Sequence, residues 1–359
     1  MSDRISSFAP PQQQEYLLQA LQSQLNNVAA EVSSGQVTNP AGAMGNDAAS
    51  LYQLTSEATQ QSTLQTTATT AGNRLTAVQN ALTSIASVAQ SMSNATLTGT
   101  STDSDTDTTI AAQASSSMSE VLNLLNTQYD GSSLFAGDAT NTLPMQSATA
   151  TGGPQDTINA VLNAAVTANG GPLTSANINT LLTGTNGLSS VFSNTNSNPA
   201  LNYNGSFYTA PDDGKPTTVM IGANQTLQYS VKGDQPAFTD LLQGLSMLTM
   251  LAAPSTQLDT TAKAAILTQA NTLIGQAQNE LTTTQGQLGS VQTQLQQVVT
   301  AQQTASTNTT NQVSTLESTN ETAASEQLSA LQTQLEASYQ VTALVSQLTL
   351  SHYLPTLTS

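Results

Sequence analysis

Residues 51–92 read LYQLTSEATQQSTLQTTATTAGNRLTAVQNALTSIASVAQSM. Within this stretch an apolar or small residue returns at every third or fourth position, interrupted by one glutamine. That spacing places the side chains along one face of an α-helix and predicts a single helix from about Asp47 to Ser93. The positions expected to face a partner helix are Leu51, Leu54, Ala58, Gln61, Leu64, Ala68, Ala71, Leu75, Val78, Leu82, Ile85, Ala89 and Met92.

A second long helical segment is predicted in the last third of the chain. Residues 281–316 of that segment contain no charged residue, although soluble coiled coils usually carry charges beside the seam. Burial of such a flank against another uncharged polar surface costs little desolvation free energy. Lateral packing into an assembly is one explanation, and low-complexity drift is the other. The seam positions are Leu267, Ala270, Ile274, Ala277, Leu281, Leu288, Val291, Leu295, Val298, Ala305 and Leu316.

Both ends of the chain carry an apolar stripe at helical spacing. The N-terminal helix is expected to stop at Gly35, which suits the left-handed position after a helix. We expect the C-terminal stripe to face the N-terminal one, as the two seams of a coiled coil do. The N-terminal stripe is Leu18, Leu21, Leu25, Val28 and Val32, and the C-terminal stripe is Leu328, Leu331, Leu335 and Tyr339.

Beyond the C-terminal stripe the helix becomes apolar nearly all round, at Val341, Leu344, Val345 and Leu348. A helix that is apolar on every side must be buried on every side. One partner helix cannot cover it, so we expect other subunits to supply the missing contacts. These four residues and the two stripes are then an assembly interface. The alternative is that both ends fold back onto the core of the same chain.

The middle of the chain, about residues 131–233, is rich in Gly, Pro, Asn and Thr and predicts a small insert. It contains one helical pattern at 157–168 and two strand-like runs at 201–209 and 217–231. A helix at 235–251 follows. The sequence therefore predicts a mainly α fold, in which long coiled-coil helical rods from both termini bracket a small α+β insert domain.

The charge balance argues against several classes of function. The 359 residues include 22 Asp and Glu against 5 Lys and Arg, a net charge of −17, which disfavours nucleic acid and anionic membrane surfaces as ligands. Because there is no Cys, there is no disulfide, thiolate nucleophile or cysteine-ligated zinc. The N-terminus lacks the apolar segment of a secretory signal peptide, and no segment reaches membrane-spanning length, so we expect no membrane insertion.

No catalytic, cofactor-binding or metal site is predicted, and we expect that the protein is not an enzyme. The single histidine, His352, has no nucleophile motif near it, and phosphate-binding and zincin motifs are absent from the sequence. Asp103, Asp105 and Asp107 resemble the start of an EF-hand calcium loop. Thr108 stands where that loop needs Gly, however, and the closing Glu is missing. We therefore expect a solvated loop between two helices there.

Three segments carry a resemblance to a known family. Residues 31–54, EVSSGQVTNPAGAMGNDAASLYQL, are similar to the part of bacterial flagellins in which a first helix stops at Ser-Gly and a loop leads into a long helix. Residues 126–145, NTQYDGSSLFAGDATNTLPM, and 338–355, SYQVTALVSQLTLSHYLP, resemble the hook–filament junction (hook-associated) branch of that family. The chain departs from the family pattern in its shortage of Arg and in having only Asp47 as an acidic residue before the long helix.

The resemblance implies an extracellular structural subunit of the bacterial flagellum, exported without a cleaved signal peptide. Its implied partners are other copies of itself in a helical layer, a neighbouring hook-associated protein, flagellin, the flagellar export apparatus and a secretion chaperone. The implied domains are a terminal helical domain (1–35 and 322–359), a helical rod domain (36–131 and 234–321) and an outward-facing insert (132–233). The alternatives are a propagating filament flagellin and, from another class, a secreted coiled-coil adhesin that binds a ligand through the insert.

Overall fold

The computed structural model describes residues 9–38, 46–98, 104–210, 217–222, 225–229, 231–318 and 321–353. The chain divides into two compact units. The first unit combines Met1–Thr63 with Gln302–Ser359, and the second unit is Leu64–Ala301. The division into three domains expected from the sequence stays a prediction.

Most of the described residues are helical, and the strands form two short antiparallel hairpins. The helices are α1 (Ala9–Ser34), α2 (Asn46–Thr98), α3 (Ser104–Leu125), α4 (Pro154–Asn169), α5 (Asn179–Leu182), α6 (Leu188–Phe192), α7 (Pro236–Thr249), α8 (Thr260–Glu317) and α9 (Glu321–Tyr353). One hairpin pairs β1 (Gln128–Tyr129) with β2 (Ser132–Ser133), and the other pairs β3 (Thr218–Gly222) with β4 (Gln225–Gln228). The prediction of a mainly α fold with a small α+β insert is confirmed.

The apolar seams of α2 and α8 are buried in the second unit. On α2, the predicted positions from Ala68 to Met92 are at most 4% exposed. Polar side chains link the two helices beside the seam: Gln292 Nε2 donates to Thr76 Oγ1 at 3.2 Å, and Thr96 Oγ1 donates to Asn271 Oδ1 at 3.1 Å. Because higher numbers on one helix meet lower numbers on the other, α2 and α8 run antiparallel.

Helices α3 and α7 complete the core of the second unit. They pack against each other, and the Phe238 ring of α7 meets the ring of Phe135 edge to face, with centroids 5.8 Å apart. Helix α7 also lies close to α8, since a Cβ atom at Gly244 would come within 3.0 Å of Cγ1 of Ile274. Glycine at this position therefore permits the close approach of the two helices.

The strand predicted at 201–209 is wrong, because this segment folds into two short turns. Gly205 adopts φ 123° and kinks the chain. The aromatic side chains that suggested a strand instead stack in a buried cluster, in which the rings of Tyr203 and Phe207 are 5.5 Å apart. The Tyr203 hydroxyl donates to the carbonyl oxygen of Gly233 at 2.6 Å, and burial raises the pKa of this tyrosine well above its usual value.

The other predictions for the insert agree with the structure. The helix expected at 157–168 is α4, and the helix expected at 235–251 is α7 with the 3₁₀ turn that follows it. The strand-like run at 217–231 forms the β3–β4 hairpin, in which Val219 pairs with Leu227. The turn between these strands lies partly outside the described residues.

The acidic segment expected to be a solvated loop belongs in part to a helix. Asp103 lies outside the described residues, but Asp105 and Asp107 lie in the first turn of α3. Carboxylates are favourable there because they face the positive end of the helix dipole. Asp107 is only 5% exposed, and its Oδ2 lies 3.5 Å from Nζ of Lys263 in the first turn of α8. The pair joins the starts of two core helices.

We predict that Lys263→Met destabilises the second unit by ~3 kcal/mol, because it leaves the Asp107 carboxylate buried without its counter-ion. The measurement is chemical unfolding followed by circular dichroism. The double variant Lys263→Met/Asp107→Asn removes both charges and should recover most of the loss. Equal unfolding free energies for the wild type and Lys263→Met would contradict a stabilising pair.

Asp240 of α7 and Glu280 of α8 form a second pair of charged groups. Because both are carboxylates, they repel each other instead of forming an ion pair. Desolvation raises the pKa of both carboxyls, and the charge of Asp240 raises the pKa of Glu280 further. Within the described part of the chain, Oε2 of Glu280 is buried without a hydrogen-bond partner. A carboxyl whose pKa is higher in the folded than in the unfolded state binds more protons when folded, so its charge destabilises the fold at neutral pH.

Glu280→Gln should therefore raise the melting temperature at pH 7 by ~2 °C, a small effect because both groups are partly solvated. The gain should shrink as the pH falls below ~4, where the wild-type carboxyl is protonated in both states. Thermal melts of the two proteins at pH 7 and pH 3.5 check this. A gain of the same size at both pH values would exclude the charge as its cause.

Candidate assembly surface

Helices α1 and α9 of the first unit form an antiparallel pair. At one end of the pair the backbone N–H of Val37 donates to the carbonyl oxygen of Glu317 at 2.9 Å, and Gln36 and Ser318 form an isolated antiparallel β-bridge. Helix α1 ends as predicted at Gly35, which adopts φ 69°. This left-handed residue turns the chain out of the helix without the steric cost that a Cβ atom would add.

The centre of the pair is a narrow apolar seam. Val28 of α1 is 6% exposed, and Ala324 and Leu331 of α9 are 6% and 8% exposed. Four of the predicted stripe residues pack around these three side chains and stay partly accessible to solvent: Leu21, Leu25, Val32 and Leu328. The structure thus brings the two predicted stripes together, and it adds Ala324, which the sequence analysis missed although it lies four residues before Leu328.

The seam does not continue to Tyr339, which is 50% exposed. Between Leu331 and Leu344, the last described side chain of α9, the partly buried positions are Leu335, Ser338 and Thr342. They keep the four–three–four spacing that one helix face requires. The expectation that Tyr339 faces α1 is corrected accordingly, because it is one position out of phase with this spacing. The seam therefore becomes polar toward the C-terminal end of α9.

An open groove of about 350 Å³ lies where the seam becomes polar. Leu17, Leu18 and Leu21 line it from α1, and Val341 with Ala337 lines it from α9, beside the polar side chains of Gln334, Ser338 and Thr342. Leu17, another residue that the sequence analysis missed, is 61% exposed. In this groove apolar side chains of both helices converge, and Leu17 and Val341 stay exposed.

Large apolar side chains are exposed at, or within one helical turn of, the residues that line this groove. Tyr16 is 73% exposed, Val341 is 51% exposed and Leu344 is 58% exposed. The side chains of Val345, Leu348 and His352 lie outside the described residues. Clusters of exposed apolar side chains typically mark sites of protein association, and this one occupies the end of the pair where the mutual burial of α1 and α9 is weakest.

Charge does not hold the two helices together. The sequences of α1 and α9 contain five Glu and neither Lys nor Arg, so they offer each other no Lys- or Arg-based ion pair. Their association depends on the burial of the apolar seam, which is non-directional and scales with area. A seam with three side chains below 9% exposure supplies little of that area.

Neither a metal-binding cluster nor a membrane-spanning helix is found among the described residues. They contain no cluster of three or more His, Asp or Glu side chains suited to a metal ion. No helix in the described ranges combines the length and the apolar content that crossing a bilayer requires.

Comparison with known proteins identifies the family. Residues 5–140 match the family model of the bacterial flagellin N-terminal helical region, and residues 271–354 match that of the bacterial flagellin C-terminal helical region. Together the two matches span more than half of the chain. The chain belongs to the bacterial flagellin family. It is therefore a structural component of the bacterial flagellum, which is extracellular, in a family whose members self-assemble and associate with other flagellar proteins.

A solved structure shares the fold of this flagellin-family chain. It is a Vibrio parahaemolyticus protein that has been assigned as a flagellar hook-associated protein, with a TM-score of 0.51 and 12% sequence identity. The match covers 75% of this chain and 96% of the Vibrio chain. At this identity the likeness concerns the fold alone. No curated protein sequence matches the chain.

We predict that Leu331→Ala weakens the α1–α9 pair by ~3 kcal/mol, because it removes a buried side chain from a small seam. Leu344→Ala is the matched control, since the same truncation at an exposed site should change stability by less than ~0.5 kcal/mol. Chymotrypsin cleavage after Tyr16 or Leu17 reports transient opening of the pair. If both variants are cleaved at the same rate, Leu331 does not hold the pair together.

Proposed function

We propose that this flagellin-family chain is the hook–filament junction subunit, which links the flagellar hook to the filament through the packing of its terminal helices. The observation that carries the proposal is the incomplete burial of the α1–α9 pair, whose open groove and exposed Leu17, Val341 and Leu344 lack a cover within the described part of the chain. Neighbouring subunits would supply that cover, as in other helically propagating contacts between identical chains.

The choice of junction over filament rests on the sequence. Residues 134–137, Leu-Phe-Ala-Gly, and the ending Leu-Thr-Leu-Ser-His-Tyr-Leu-Pro at 348–355 resemble the junction branch of the family. The fold shared with the hook-associated Vibrio protein is compatible with this choice. A propagating filament flagellin is the nearest competing function.

In this proposal each part of the chain has its own layer. Residues 1–35 and 322–359 form an inner layer, 36–131 with 234–321 the next layer, and the insert at 132–233 faces outward. The thirteen predicted residues, from Leu18 to Leu348, line the contacts of the inner layer. The partners are copies of the chain, a hook-associated protein and flagellin. Export through the flagellar secretion apparatus, with a chaperone and without a cleaved signal peptide, belongs to the same proposal.

The experiment that tests the junction assignment is electron microscopy of the purified chain after incubation with isolated hook fragments. The proposal predicts a short layer at the hook end that does not grow further. Long filaments would show a propagating flagellin and would overturn the junction assignment. Failure to attach, under conditions in which an established junction protein attaches, would also overturn the junction assignment.

Leu25→Asp and Leu335→Asp should each yield a monomer in solution that no longer joins the layer, because each places an unpaired charge in the partly buried seam. Gln24→Asp adds the same charge at the neighbouring exposed position and should join normally. Joining is scored by co-sedimentation with hook fragments. Normal incorporation of either leucine variant would contradict the inner-layer role of α1 and α9.

A further inference from the structure

The acidic residues of this chain avoid two long segments. Residues 58–102 and 281–316 contain no Asp or Glu, and Arg74 is the single charged residue in both. At the mean content of 22 acidic residues in 359, the two segments would hold about five. Within the second unit these segments belong largely to the antiparallel helices α2 and α8, so the positions without acidic residues fall on two packed helices.

Each of the two helices exposes a stripe of neutral polar side chains outside its buried seam, and Thr76 on α2 accepts a hydrogen bond from Gln292 of α8 at the edge of that seam. We name the two stripes together the neutral face. Their members are exposed and recur every three or four residues. They are Thr69, Asn73, Thr76, Asn80, Thr83, Ser87, Gln90 and Asn94 on α2, and Thr283, Gln287, Ser290, Gln294 and Gln297 on α8.

Many hydrogen-bonding groups of the neutral face are already satisfied within the chain. The threonine hydroxyls donate to the carbonyl four residues earlier, as from Thr83 to Gln79 at 2.8 Å and from Thr283 to Asn279 at 2.9 Å. The amide of Gln90 donates to Asn94 Oδ1 at 3.1 Å. Burial of a polar group is costly when its partner is lost. These groups keep their partners, so covering them leaves few unsatisfied donors.

The one charge in these segments does not break the pattern. The guanidinium of Arg74 is half-buried, and its Nη2 donates to the carbonyl oxygen of Ser133 at 2.7 Å. Arg74 is thereby engaged with the β1–β2 hairpin of its own unit. The neutral face thus presents threonine methyl groups, amides and hydroxyls, and no carboxylate.

We infer that the neutral face is the surface through which copies of this chain pack side by side. Two copies each carry a net charge of −17, so contacts between most of their surfaces bring like charges together, which disfavours association. The neutral face is where two copies can meet without that repulsion. A basic partner would be better matched by the acidic remainder of the surface. This inference rests on the proposed function and specifies the partner and the chemistry of its lateral contact.

A contact between two such faces depends on van der Waals packing and neutral hydrogen bonds rather than on ion pairs. Ion pairs at an interface weaken as salt screens them. Here salt screens only the repulsion between the acidic remainders of the two copies. Raising NaCl from about 0.05 to 1 M should therefore leave self-association unchanged or strengthen it.

The test compares two double variants of the full chain with equal added charge. Gln287→Glu/Gln294→Glu places two carboxylates on one stripe of the neutral face, and Gln225→Glu/Gln228→Glu places two on exposed positions of β4. Self-association is measured by analytical ultracentrifugation, and the variants' circular dichroism confirms that they fold. The α8 variant should need about tenfold more protein for half-association, a cost of ~1.4 kcal/mol, and the β4 variant less than about twofold more.

A third variant separates charge from the loss of a hydroxyl. Thr283→Val keeps the shape of the side chain and removes a donor that is used inside the helix, so it should associate like the wild type. Equal association of both glutamate variants, dissociation of the wild type at high salt, or a chain that stays monomeric throughout would overturn the inference. If the wild type self-associates but never attaches to hooks, the junction function fails while the inference stands. Normal layer formation at hooks by the α8 variant would overturn the inference and leave the junction function standing.

Discussion

Burial of a helical apolar seam is the interaction on which the rest of this structure depends. In the second unit, α2 and α8 bury their seam almost completely, and α3 and α7 enlarge the same core with Phe238, Met118 and their neighbours. The insert is attached to this core through Phe135 and the stacked tyrosines. Polar contacts such as that of Gln292 with Thr76 follow from the register that the seam fixes.

The terminal helix pair uses the same interaction with much less area. Among the described side chains of its seam, only Val28, Ala324 and Leu331 fall below 9% exposure, and the seam becomes polar at Ser338 and Thr342. Native stability is a small difference between large opposing terms, so a pair with few buried contacts opens readily. The same shortage of burial makes the pair suited to assembly, because its remaining apolar surface gains most when a neighbour covers it.

The sequence predicts the long helices well because their hydrophobic period is sustained over many turns and burial follows it. The predicted α2 positions from Ala68 to Met92 are all buried. The predictions fail where a shorter pattern has two physical explanations. The run at 201–209 resembles a strand in sequence, but the chain kinks at Gly205, and Tyr203 and Phe207 stack in a buried cluster.

Prediction of the candidate assembly surface has a similar limit. The stripes on α1 and α9 follow from spacing, but the exact phase of α9 depends on how α1 packs against it. Tyr339 and Ser338 are adjacent in sequence. In the structure Ser338 is the partly buried position of the seam, and the ring of Tyr339 is half exposed. Asp107 lies in the first turn of α3, and its counter-ion Lys263 is 156 positions away in the sequence, so no local pattern reveals that ion pair.

Hydrogen exchange of α1 in the free chain and in the chain bound to hook fragments tests the central claim most directly. If neighbouring subunits complete the α1–α9 pair, the amides of Leu21–Val32 should exchange at least about tenfold more slowly in the assembly. The buried amides of α7 serve as the internal reference and should change little. Equal exchange of the α1 amides in the free and bound chain would contradict the account, because assembly would then add nothing to the burial of the terminal helices.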